Sequence, residues 1–169
     1  EGVVWNIRSA GLPDRYISSI VFDPQAPSRV WVTLQGFGTG HVFYSPDAGV
    51  TWTDRSGNLP NVAANTIVLD PQDVASTWYI ATDAGVYGTA DAGATWSVVG
   101  SNLPAAWIND LEIGPNRMLY AATAGRSAWR IALPGYAAPP PEVSAAALPL
   151  LLKKKPGGWV GLSWEAASS

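Results

Sequence analysis

Few residues in this 169-residue chain have side chains able to do chemistry, and most of those are carboxylates. There is one histidine, His41, and no cysteine. Sites that need two imidazoles, thiolate zinc sites, cysteine nucleophiles and structural disulfides are therefore excluded, and a Ser-His-Asp device would depend on that one ring. No metal and no cofactor is expected. Among the acids, Asp47 and Asp91 stand at the same place in two similar octapeptides, Ser45-Pro46-Asp47-Ala48-Gly49-Val50-Thr51-Trp52 and Thr89-Ala90-Asp91-Ala92-Gly93-Ala94-Thr95-Trp96. Two facing carboxylates roughly 5 to 10 Å apart are what glycoside hydrolysis requires. Asp14, Asp83 and Asp110 are further acids that spacing alone does not pair. Whether any two of them converge depends on the elements that carry them.

Composition sets the frame for those elements. The chain is 47% hydrophobic and 14% charged with a formal net charge of −3, which describes a packed, mildly acidic protein and not a disordered one. Its one basic run is Lys153 to Lys155, so nucleic acid is not an expected partner. Its longest apolar stretch, residues 145–152, is interrupted by Pro149 and falls well short of the ~20 residues a spanning helix needs. No membrane span is expected.

A repeat then organises residues 1–133. Trp5, Trp52 and Trp96 lie 47 and then 44 residues apart, and the pairs Leu12-Pro13, Leu59-Pro60 and Leu103-Pro104 follow the same steps. Asp23-Pro24, Asp70-Pro71 and Gly114-Pro115 fill the next matching slot, and the aromatic positions Trp31, Tyr79, Tyr120 and Phe43, Tyr87, Trp129 continue the registry. Within each copy the apolar runs are short, rich in β-branched and aromatic residues, and bounded by Pro, Gly, Asp or Asn. Strands are predicted at 17–22, 30–34, 41–45 and 51–55, then at 66–69, 78–82, 86–89 and 95–99, then at 108–113, 118–123 and 128–133. Residues 3–7 read as the fourth strand of a preceding unit. Four strands per ~45 residues is the arithmetic of a β-propeller blade. The predicted fold is all-β with no substantial helix: an open arc of two whole four-stranded blades with a partial blade at each end. The outward faces of the first and last sheets are expected to be apolar, because each normally meets a neighbouring blade.

The two octapeptides fall between the third and fourth strands of the whole blades. They resemble Asp-boxes, Ser/Thr-x-Asp-x-Gly-x-Thr-Trp, and two copies in registry identify the segment as similar to BNR-repeat propellers. That resemblance implies the superfamily shared by sialidases, xyloglucanase-type glycoside hydrolases, sortilin-like receptors and a photosystem II assembly factor. Physically, the Asp carboxylate accepts backbone N–H groups of its own turn, the Gly takes positive φ, and Thr and Trp begin the return strand. Ser45, Asp47, Gly49, Thr51 and Trp52, with Thr89, Asp91, Gly93, Thr95 and Trp96, are read as turn-locking residues. Asp47 and Asp91 occupy the same slot on the rim of adjacent blades, which is poor geometry for a catalytic pair.

Candidate ligand-binding residues lie outside the registry, on the connections into first or third strands: Arg15, Tyr16, Phe37, His41, Asp83, Trp107 and Arg126. In propellers such connections border the central channel on one face. The loop 35–40 before His41 is longer than its counterpart 83–85, and enlarged loops often serve ligands. Residues 134–141, with Pro139-Pro140-Pro141, read as a stiff linker. Residues 142–169 resemble the opening strands of a fibronectin type III module, with Trp159-Val160-Gly161-Leu162-Ser163-Trp164 as second strand after a basic turn at 153–158. Two functions stay open. One is a non-catalytic propeller segment of a secreted or surface multidomain protein, binding glycan or protein and completed by further blades. The other is a fragment of a sialidase-like or xyloglucanase-like hydrolase. The resemblance implies for a sialidase an arginine cluster and a Tyr-Glu pair, against which the chain offers Arg15 and Arg126 on loops and Glu112 in a strand. A sortilin-like receptor fits less well, because the chain has no Cys.

Overall fold

The computed structural model describes residues 3–136 and the backbone of two short strands at Leu152–Lys154 and Val160–Leu162. The chain separates into two compact units, Glu1–Tyr136 and Ala137–Ser169. In the first unit, β1 (Ile17–Asp23), β2 (Ala26–Leu34), β3 (Val42–Ser45) and β4 (Thr53–Asp54) form one antiparallel sheet in chain order. The strands β5 (Ala64–Leu69), β6 (Trp78–Thr82), β7 (Gly85–Thr89) and β8 (Ser97–Val98) form a second. A third contains β9 (Ile108–Ile113), β10 (Met118–Thr123) and β11 (Ala128–Ala132). No helix occurs among the described residues, and none is long and apolar enough to cross a membrane. The unit is a partial, open β-propeller.

Local chemistry sets the turns. The Asp23 and Asp70 carboxylates accept the N–H groups of Gln25 (2.8 Å) and Gln72 (2.9 Å), closing the first hairpin of each whole sheet where Pro supplies no donor. The fourth strands are two residues long, shorter than predicted. Thr51 and Thr95 give their N–H groups to Asp47 and Asp91, and Trp96 gives its own to Asn58 Oδ1 (2.6 Å), so the ladder starts only after them. Residues 3–7, predicted as a strand, carry none: Val3, Val4, Trp5 and Ile7 stand exposed, because a strand needs a partner edge and none lies beside them.

Packing follows the repeat. Every residue of β6 is buried, because the second sheet is covered on both faces. Against the first sheet it packs Ile67, Trp78, Ile80 and Trp96, which meet Trp31 and Val42. The Trp31 and Trp78 rings lie 5.5 Å apart at 70°, and Trp78 and Trp96 lie 6.4 Å apart. Burying one such ring removes about 150–250 Å2 from water, worth roughly 4 to 6 kcal/mol before entropy costs. Against the third sheet it packs Tyr79, Ala81 and Val86, which meet Leu111, Leu119 and Ala121.

The two outer faces differ. On the first sheet Ile20 and Phe22 are more than half exposed beside Val32, Leu34 and Phe43, which Leu12 and Trp52 partly cover. On the third, the cross-strand row Glu112, Tyr120 and Arg130 is exposed. The predicted apolar character therefore holds at the first sheet, whereas the third presents charges around one aromatic ring.

In the second unit β12 (Leu152–Lys154) pairs antiparallel with β13 (Val160–Leu162), Leu152 opposite Leu162. Lys153 and Lys154, predicted in the turn, belong to the first strand of this hairpin. The Pro run and the remainder of the predicted fibronectin-like strands lie outside the described residues.

Candidate functional site

Two sets of predicted residues have to be placed, the turns carrying Asp47 and Asp91 and the loops at the other end of the sheets. In each turn the carboxylate is fully engaged. Asp47 Oδ1 accepts Ser45 Oγ (2.8 Å) and Thr51 N (2.8 Å), and Oδ2 accepts Thr51 Oγ1 (2.7 Å). Asp91 accepts Thr89 Oγ1 (2.7 Å), Thr95 N (2.8 Å) and Thr95 Oγ1 (2.6 Å) in the same way. The Ser45 and Thr89 hydroxyl oxygens in turn accept the N–H groups of Gly49 and Gly93.

Ala48 and Gly49, like Ala92 and Gly93, have positive φ. A Cβ on Gly93 would overlap the Arg55 carbonyl oxygen, so only Gly lets the turn lie against the chain leaving the preceding sheet. Trp96 Nε1 donates to that Arg55 carbonyl (3.0 Å), and Trp52 Nε1 donates to Arg8 O (2.9 Å), its counterpart one repeat earlier. The bonds from Thr95 hold the Asp91 carboxyl down to about 2, and those from Thr51 lower Asp47. Neither acid is equipped to donate a proton at neutral pH.

The loop residues gather at the opposite end through a bond repeated in all three sheets. Tyr16 O accepts Gln35 N (2.9 Å), Ala63 O accepts Asp83 N (3.2 Å) and Trp107 O accepts Ala124 N (2.8 Å). Each bond ties the residue before a first strand to the residue after a second. Tyr16, Ala63 and Trp107 are therefore equivalent, an aromatic in the outer sheets and an Ala in the middle one. Tyr16, Phe37 and Trp107 are 71%, 64% and 63% exposed.

Between them runs an amide ladder. Gln35 Nε2 donates to Asn65 Oδ1 (3.2 Å), and Asn65 Nδ2 donates to Asp83 Oδ1 (3.0 Å) and to Ile108 O (2.9 Å), linking the three sheets. The enlarged loop is pinned by Gly38 N to Asn61 Oδ1 (2.7 Å), and the Arg15 side chain lies over Gly36. Arg126 occupies the corresponding turn of the third sheet, where Trp129 Nε1 donates to its carbonyl (2.7 Å). His41 is set apart from this surface. It is 3% exposed, and neither ring nitrogen has a protein partner.

Sequence reasoning missed Gln35, Asn61 and Asn65. Asn65 had a signal, a polar residue at the mouth of an apolar run, but the register shift between Ala64 and Thr66 that turns it toward its neighbours comes from strand pairing. Of the other acids, Asp110 Oδ1 accepts the N–H of Leu111, and Asp110 and Glu112 line the inner strands with Val21, Phe22 and Thr66. Asp83 is bound to Asn65.

No protein-family model and no curated protein matches the sequence. Solved structures do match. An ancestral GH74 enzyme is similar at 23% identity over 65% of this chain and 17% of its own, with a TM-score of 0.52. The GH74 enzyme of Niastella koreensis is similar at 22% identity over 62% of this chain and 17% of its own, also at 0.52. YCF48 bound to D1 peptide matches at 18% identity over 72% of this chain and 38% of its own, with a TM-score of 0.49. The chain thus spans about a sixth of the GH74 enzymes it resembles, and what the likeness establishes is the propeller fold.

Proposed function

We propose that residues 1–133 are a BNR/Asp-box propeller segment that binds a ligand, without catalysing its turnover, through the face bearing Tyr16, Phe37 and Trp107. The observation that carries this reading is the exposure of those three aromatic side chains at one end of the sheets, beside the Gln35–Asn65–Asp83 ladder. Exposed rings offer stacking surfaces and the amides offer oriented hydrogen bonds, a combination suited to an oligosaccharide. GH74 neighbours make a β-glucan such as xyloglucan the first ligand to test, with an extended peptide as the alternative. The Asp47 and Asp91 carboxylates support a structural role, since both oxygens of each are spent on the turn.

The second reading, a fragment of a glycoside hydrolase, draws on the same neighbours. Against it, Asp83 and Asp110 each hold a separate bond and belong to different sheets. The secreted or surface setting, with a linker at 134–141 and fibronectin-like strands at 142–169, completes the proposal.

Titration of the full chain with xyloglucan oligosaccharides, followed by tryptophan fluorescence, tests it. Phe37→Ala or Trp107→Ala is expected to weaken binding at least tenfold without moving Tm, and no reducing sugar is expected to be released. Turnover that is lost in Asp83→Asn with the fold intact would transfer the assignment to the hydrolase.

A further inference from the structure

Between the first and second sheets, beside the turn that carries Asp91, lies a cavity of about 180 Å3. Arg29, Trp31, Tyr44 and Arg55 wall it from the first sheet, and Trp78 and Ala92 from the second. It shares no residue with the surface that bears Tyr16, Phe37 and Trp107.

The polar groups of its wall are donors. Trp31 is 1% exposed, and its Nε1–H has no acceptor among the described residues. Arg55 Nε is likewise buried without an acceptor, and among the described residues the Arg55 side chain makes no ion pair. Its guanidinium sits 5.9 Å from the centre of the Tyr44 ring. Arg29 Nη1 bonds Asp23 Oδ2 at 3.3 Å, so Arg55 is the one uncompensated charge of the wall, and no carboxylate lines the cavity. Buried N–H groups without acceptors are costly, and an anion satisfies both at once. Arg55 is also held firmly: its N donates to Val42 O (2.8 Å), its O accepts Trp96 Nε1 (3.0 Å), and Gly93 lies directly against it.

The next gap shows that this is not a general product of the repeat. Val99 N donates to Val86 O as Arg55 N does to Val42 O, 44 residues earlier, so Val99 holds the place of Arg55. The gap between the second and third sheets is lined by Asp70, Asp73 and Asp91, and its Arg117 is bound to Asp70. The excess of donors belongs to the first gap.

We propose that this cavity binds an organic carboxylate, with the Arg55 guanidinium and the Trp31 indole N–H as its donors and the Tyr44 and Trp78 rings against its carbon skeleton. A guanidinium presents a planar fork that matches a carboxylate. One uncompensated positive charge matches a monoanion, whereas a phosphate dianion would bring more charge and hydration than aromatic walls can replace. Two guanidiniums and no acid exclude a cation.

Nitrogen-15 spectra of the full chain test this, with the Trp31 indole signal identified by its loss in Trp31→Phe. Sodium glucuronate or the amide of N-acetylglutamate is expected to shift that signal saturably, and the one that does identifies the skeleton as sugar or peptide. Sodium chloride at equal concentration is expected to leave it in place. Arg55→Gln is expected to weaken the response about tenfold and to leave Tm without ligand nearly unchanged. Arg55→Lys, which keeps the charge and the stem, is the second variant and is also expected to bind more weakly. Phe37→Ala and Trp107→Ala should leave the response intact, so this site and the loop-face reading can fail separately. No shift with either carboxylate, an equal shift with glucose, saturation by inorganic phosphate at lower concentration, or an undiminished response in both Arg55 variants would each overturn the proposal.

Discussion

At the scale of single residues, the turns are acid-sensitive locks whose parts separate by substitution. The Asp91 carboxyl is held at about 2, below its ordinary 3.8, first by the Thr95 hydroxyl and then by the Thr95 N–H. A depressed carboxylate contributes stability that is complete above the ordinary value and is lost as pH falls through the folded one. Stability should therefore be flat above about pH 5 and decline between about pH 4 and 2. In Thr95→Val the folded value moves back toward the ordinary one, so the decline should be smaller and should end at higher pH, which urea unfolding measured across that pH range would show. Gly93→Ala and Gly38→Ala both place a Cβ at positive φ, but only at Gly93 does it meet a carbonyl, whereas nothing lies within 4 Å of the site at Gly38. Tm should fall much further for Gly93→Ala. Trp96→Phe gives up the bond to Arg55 O and should cost about 1 kcal/mol. Trp96→Ala removes a ring from the Trp31–Trp78 cluster and should cost about 3 to 5 kcal/mol in chemical denaturation.

Between elements, the second and third sheets are joined by an ion pair as well as by apolar contact. Arg117 reaches Asp70 through both terminal nitrogens, Nη2 to Oδ2 at 2.9 Å, and its Nε donates to Pro134 O (2.9 Å). The side chains are 12% and 3% exposed. The bond to Asp70 raises the Arg117 pKa, so the guanidinium stays charged. Arg117→Ala would leave the Asp70 carboxylate buried with only the Gln72 N–H for support. The expected loss is about 2 to 3 kcal/mol, at the lower end for a buried pair because Arg117 lies at the edge. Asp70→Asn/Arg117→Ala should be milder than the sum of its parts, and a double-mutant cycle in urea measures the difference. The sequence offered Asp70-Pro71 as a repeated landmark, and Arg117 had no repeat partner that would have drawn attention to it. Their meeting requires the third sheet to stack on the second, which is a tertiary event.

For the whole molecule, the arc has one apolar outer face and one mixed one, so its surface should take up an apolar dye. The dye is expected to bind at Ile20 and Phe22, and Phe22→Ser to lower that binding. Dye fluorescence unchanged by that substitution would count against an exposed apolar face there. The arrangement of the sheets was legible beforehand because a propeller is a local repeat. Trp52, Trp96 and the Leu-Pro pairs recur at nearly fixed steps, and each blade is built from strands adjacent in sequence, so periodicity of side chains suffices to define it. The bonding of the two turns that carry Asp47 and Asp91 is local in the same sense, since every hydrogen bond of these carboxylates falls within four residues of the acid. Tertiary structure decided what lies between repeats: the Asn65 bridge from Gln35 to Ile108 O, the Asp70–Arg117 pair and the burial of His41. It also decided that residues 3–7 form no strand, although their sequence matches one. Side-chain pattern states what a segment can pair with, and pairing itself depends on an edge that only folding brings alongside.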